Sequence, residues 1–142
     1  MPYMEWQAAL ETGQAQIDEE HRALVGALNR LHATAGQDPG EVDRALAFLR
    51  DYAVTHFAAE EELMLRHRYP GTAAHFAAHA DLVLRLSDLL AEHRAARHEP
   101  GKEAGEGALA GVLAFLESWL VEHILRQDQD LGSFLQQRGV GA

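Results

Sequence analysis

Cysteine is absent from all 142 residues. That excludes disulfides, thiolate nucleophiles and every sulfur-ligated metal centre, so any metal must sit among nitrogen and oxygen donors. Long apolar runs are missing as well; none approaches the roughly 20 residues of a membrane helix. Positive charge is scarce, with 12 Lys and Arg against 22 Asp and Glu and a formal net charge of -10. Nucleic acid and anionic lipid both need a basic face, so neither is expected as a partner. The N-terminus "MPYMEWQAALETG" has no basic segment leading into an apolar run and does not read as a signal peptide. The expectation is one cytoplasmic, soluble, monomeric domain, long enough to bury a real core.

What is present is helical periodicity. Apolar residues recur at helical spacing in four segments, about 17–35, 41–67, 72–97 and 107–137, and no stretch alternates like a strand. "DPGE" supplies Asp38 as an N-cap, Pro39 at a first helical position and Glu41 as a capping-box acid. "YPGT" at 69–72 punctuates the second segment, and "HEPGKEAGEG" at 98–107 reads as a loop. Residues 1–16 read as an extended arm with Trp6 docked on the helices, and 139–142 as a frayed tail. The fold class is all-α, an up-down-up-down four-helix bundle.

Nine histidines are many for this length, and their positions matter more than their number. His21 falls between Ile17 and Leu24 on the apolar stripe of the first helix. "HFAAE" puts His56 and Glu60 on the stripe of the second, between Ala53 and Leu63. "HFAAH" puts His75 and His79 ahead of Leu82 and Leu86 on the third. His123 follows Leu116 and Leu120 on the fourth. Residues four apart stack on one helix face, about 5–6 Å between Cβ atoms, so each pair converges on one point. An unpaired buried polar group costs roughly 1–3 kcal/mol and a carboxylate far more, against a whole-domain stability of about 5–15 kcal/mol. A metal centre compensates them directly. "HILRQDQD" offers two acids for it: Asp130 is nearly on the face of His123 but about 10.5 Å along the axis, and Asp128 is about 7.5 Å along but rotated further round. Helix geometry leaves that choice open.

With these motifs, Trp6, "IDEEHRAL" and "WLVEHILRQD", the chain resembles the hemerythrin family over nearly its whole length, with Glu20 where the family commonly has glutamine. The resemblance implies the ligand set His21, His56, Glu60, His75, His79, His123 and Asp128, and it selects Asp128 over Asp130. It implies two non-heme irons, Fe2+ or Fe3+, joined by Glu60, Asp128 and a bridging oxo or hydroxo. His75, His79 and His123 would hold one iron, and His21 with His56 the other. One position left open on the two-histidine iron would take dioxygen, with Leu24, Phe57, Trp119, Leu120 and Ile124 lining the oxygen pocket. The implied function is reversible oxygen binding for storage, delivery or scavenging, without catalysis. The alternatives are a redox-sensing module read by a partner protein, and a peroxidase or nitric-oxide-reducing enzyme. Ferritin-like centres are disfavoured, since they use Glu-x-x-His pairs and this chain has none. His32, His67, His93 and His98 are expected at the surface or its boundary, outside the ligand set, and Glu61 and Glu62 are expected to face solvent.

Overall fold

Asp38 starts a helix as its side chain predicts: the carboxylate accepts the Gly40 amide at 3.1 Å, with Pro39 at the first helical position. That satisfies one of the donors a helix start leaves open. In the computed structural model, which describes residues 3–34, 38–98 and 106–140, this helix is α2, Pro39–Arg66. It is preceded by α1, Ala15–Ala33, and followed by α3, Thr72–His98, and α4, Glu106–His123. The loop expected at 98–107 lies mostly outside the described residues. Among those described there is no strand. The molecule is an all-α, up-down-up-down four-helix bundle in which α2 packs beside α1 and α3, and α1 beside α4.

The fourth segment departs from a plain helix. α4 stops at His123, a π-helical turn occupies Ile124–Asp128, and α5 resumes at Gln129–Gln137. A π turn bonds residue i to i+5 rather than i+4, so it takes up one extra residue and shifts everything after it.

Apolar burial divides into two clusters. The larger includes Leu24, Leu28, Leu49, Leu82, Leu86 and Leu120. The smaller is built on Ile17, Met64, Leu131 and Leu135. Ile17 precedes His21 by one turn and Met64 follows Glu60 by one, so a polar layer lies between two dry ones.

The arm is not simply extended. Ala8–Leu10 form a 3-10 turn, and the Asn29 side chain bonds both the amide and the carbonyl of Met4, at 2.7 and 2.9 Å. Trp6 packs on the larger cluster with Arg22 over its ring at 4.9 Å. Thr12 donates its amide and hydroxyl to Asp18, both at 2.8 Å. Gln129, the first residue after the π turn, donates to the carbonyls of Glu11 and Ala9, at 2.5 and 3.3 Å. The expected fraying at 139–140 is not seen either. Val140 donates to the Leu135 carbonyl at 3.0 Å and accepts from the Gln14 amide side chain at 3.2 Å.

Arm and α5 meet where only glycine fits. A Cβ on Gly132 would lie 2.4 Å from the Thr12 carbonyl oxygen, a backbone atom that no rotamer change can move aside. Gly132→Ala is therefore expected to destabilise the protein by about 1–3 kcal/mol, the usual cost of overpacking. Urea unfolding checks it. No helix among the described residues is long and apolar enough to cross a membrane.

Candidate metal centre

Seven titratable side chains meet in the polar layer, and solvent reaches none of them freely. His21, His56, Glu60, His75, His79, His123 and Asp128 are each no more than 6% exposed. The periodicities of α1, α2, α3 and α4 bring in six of them. The π turn brings the seventh.

Its effect on Asp128 follows from angles. At about 100° per residue, five residues of α-helix would leave Asp128 roughly 140° away from His123. The wider turn carries it back to the same side, and an Asp128 carboxylate oxygen lies 3.2 Å from His123 Nε2. Asp128 is fully buried while Asp130 is exposed. The structure thus brings Asp128 into the cluster and leaves Asp130 outside it.

The two carboxylates divide their oxygens between two sets of histidines. Glu60 Oε2 faces His21 and His56 at 3.3 and 3.1 Å, and Glu60 Oε1 faces His75 and His79 at 3.4 and 3.2 Å. Asp128 Oδ2 faces His21 at 3.0 Å, and Oδ1 faces His75 at 2.9 Å and His123 at 3.2 Å. These are ion-pair distances, yet both oxygens of each acid and the Nε2 atoms of His21, His56 and His75 make no hydrogen bond. Buried polar atoms normally have hydrogen-bond partners. Atoms that crowd together without bonding one another are aimed at shared points between them, which is how metal ligands are arranged. Two such groups can be drawn, one of Glu60, His75, His79, His123 and Asp128, the other of His21, His56 and Glu60. The donor set therefore fits metal ions bound through nitrogen and oxygen.

Electrostatics point the same way. Burial raises the Glu60 pKa, but His21, His56, His75 and His79 overcome it and hold the carboxyl well below its usual range. Burial and Glu60 likewise push Asp128 up, and His123, His21 and His75 pull it down further. Burial lowers His56, yet Glu20 and Glu60 raise it to about 10. Burial also lowers His75, while Asp128 and Glu60 raise it to about 9. His21 moves up as well, since Asp128 and Glu60 outweigh its burial. Two buried carboxylates thus draw positive charge into the core, as protons on the histidines or as cations.

Above the ligand layer the walls are aromatic and dry. The Phe57 ring stacks on His79 at 3.8 Å and 6°, and Trp119 stacks on His123 at 4.5 Å and 14°. Both line a cavity of about 20 Å³, room for one molecule of water size. Leu24 and Leu120, also expected around such a pocket, line it too, along with Ala53, Leu82 and Leu116 among others. Ile124 does not. It is fully buried in the same cluster and stands at the start of the π turn.

One surface expectation changes. Glu61 is not solvent-facing alone: its carboxylate lies 3.0 Å from His79 Nδ1. The signal was its place beside Glu60 on a helix with apolar neighbours on two sides, masked by the "EEE" run. His93 is part-buried and pairs with Asp43 at 2.5 Å, between the start of α2 and the end of α3. His32 is exposed and stacks on Tyr3.

Comparison with known proteins extends this picture. Residues 12–135 match the family model "Hemerythrin HHE cation binding domain". A bacteriohemerythrin of Stenotrophomonas maltophilia is 35% identical over 91% of this chain and 79% of its own. A bacteriohemerythrin of Methylococcus capsulatus is 33% identical over 95% of this chain and 98% of its own. The crystal structure of a wild-type hemerythrin superposes with a TM-score of 0.80 at 32% identity, covering 94% of this chain and 98% of that one.

Proposed function

The chain belongs to the hemerythrin HHE cation-binding family, and from that premise we propose that it is a diiron protein that binds dioxygen reversibly at one open iron position. It is a hemerythrin-type iron-binding protein with a non-heme iron site. Within that site the proposed centre is two irons joined by Glu60, Asp128 and an oxo or hydroxo bridge. One observation carries it: each carboxylate turns one oxygen to the His21 side and the other to the His75 side. A mononuclear site has no use for that division.

On this reading His75, His79 and His123 would hold one ion and His21 with His56 the other. Bound iron supplies exchangeable electrons and the open position for dioxygen. The chain's own residues set what can reach it. The cavity bordered by Phe57, Trp119 and Leu120 admits a small apolar molecule, and among the described residues no acid, base or hydroxyl lines it. Without a side chain to deliver protons, a site of this kind favours release of oxygen over its reduction, and so favours a binding protein over an enzyme.

Elemental analysis of purified, fully loaded protein is expected to give about two irons per chain, as a nitrogen- and oxygen-ligated pair requires. Exposure to oxygen should change the absorption spectrum, and evacuation should restore it. One iron per loaded chain would defeat the bridged centre. A spectral change that vacuum does not reverse would defeat reversible binding.

A further inference from the structure

His79 differs from the other four histidines of the cluster on its outer side. The Nδ1 atoms of His21, His56, His75 and His123 are buried without a hydrogen bond. Glu20 comes no closer than 3.5 Å to His56 Nδ1, too far for a good bond. His79 Nδ1 alone has a partner within bonding distance, the Glu61 carboxylate at 3.0 Å. The same ring presents Nε2 to Glu60 at 3.2 Å and to His123 Nε2 at 3.2 Å.

We propose that Glu61 is a positioning residue for the metal centre, acting through His79. This rests on the metal-centre reading above, though not on oxygen binding. A carboxylate only accepts, so Nδ1 of His79 carries the proton and donates it to Glu61, leaving the Nε2 lone pair free to face the cluster. Phe57, stacked at 3.8 Å and 6°, fixes the plane of the ring. Glu61 fixes which way round the ring sits in that plane. An imidazole that donates to an anion is also a stronger electron donor to a metal, so the iron bound by His79 is held more firmly in its ferric state. Glu61 is well placed for this: its side chain is 28% exposed, at the margin of the core, while Glu60 beside it is wholly buried.

The test compares Glu61→Ala, Glu61→Gln and Glu62→Ala. Glu62 is 70% exposed and pairs with Arg66, so it controls for loss of surface charge on the same helix. Zn2+ binding to metal-free protein, measured against a chromophoric chelator, needs neither iron nor oxygen. Glu61→Ala is expected to weaken it by about 10–100-fold, the usual cost of losing a partner behind a ligand histidine. Glu61→Gln, which keeps the volume and an uncharged acceptor, should fall between it and the unsubstituted protein. A redox titration of iron-loaded protein should show the midpoint potential raised in the same order, a readout that packing alone does not move. Unchanged Zn2+ affinity and potential in both Glu61 variants, or an equal loss in Glu62→Ala, overturns the proposal. Should Glu61→Ala fail to fold, Glu61→Gln carries the same comparison. If the unsubstituted protein binds no metal at all, the metal-centre reading itself falls. If it binds metal but not oxygen, only the oxygen reading falls.

Discussion

Asp128→Ala is expected to leave the protein unable to hold a full iron complement, while Asp130→Ala loads normally. The two acids are separated by one residue in sequence, yet one is buried and the other exposed. Asp128 is fully buried, with one oxygen toward His21 and the other toward His75 and His123. Asp130 is exposed on the first turn of α5. Removing Asp128 takes a donor atom from each side of the cluster at once. The loss of affinity should exceed the roughly 10–100-fold that an outer partner costs. Iron analysis after passage over a chelating resin measures it. Normal retention by Asp128→Ala, or loss in Asp130→Ala, would mean that the π turn does not deliver the acid that matters.

The second large effect is expected at the cavity wall. Leu120→Ala deletes a buried side chain beside Trp119, at about 2–5 kcal/mol in stability. It also enlarges a space that has room for only one molecule of water size. If the dry wall is what lets oxygen leave unaltered, the oxygenated spectrum should decay markedly faster in Leu120→Ala that remains folded and iron-loaded. Ile124→Ala is the counterpart. It removes a comparable buried side chain that does not touch the cavity, so it should lower stability and leave the decay unchanged. Stopped-flow oxygenation followed by timed spectra separates the two. Equal decay rates in Leu120→Ala and the unsubstituted protein would reduce this wall to ordinary packing.

These expectations draw on different depths of the sequence. Helical stripes were legible, because a side chain that must be buried repeats every three to four residues whatever its chemistry, and His21, His56, Glu60, His75, His79 and His123 sit on those stripes. Asp38 was legible as a cap because few residue types can serve there. The π turn was not, since nothing in "HILRQD" changes the apolar count, and ordinary helix geometry therefore could not choose between Asp128 and Asp130. Family resemblance chose Asp128 by spacing; the wide turn supplies the mechanical reason. Glu61 was hidden by composition. Three successive glutamates look solvated, but on a helix they point about 100° apart, so Glu60 enters the core, Glu61 reaches the side of α3, and Glu62 pairs with Arg66. The arm was read as extended because its polar anchors are single residues with no period: Asn29, Asp18 and Gln129.

The π turn also bears on how this gene could change length. Most helices absorb an inserted or deleted residue by sliding in their loops. Between His123 and Asp128 the wide turn is itself the slack. It already holds one residue more than an even helix needs to bring the acid round, since four residues at about 100° leave it roughly 40° from His123. A deletion that returned the turn to even pitch would keep Leu131 and Leu135 against Ile17 and Met64 and Gly132 against Thr12. An insertion has no such outlet. One more residue at ordinary pitch would rotate α5 by about 100° and carry Leu131, Leu135 and Gly132 off their partners together. The interval can therefore shorten by one residue without cost to the apolar cluster beneath it, and cannot lengthen.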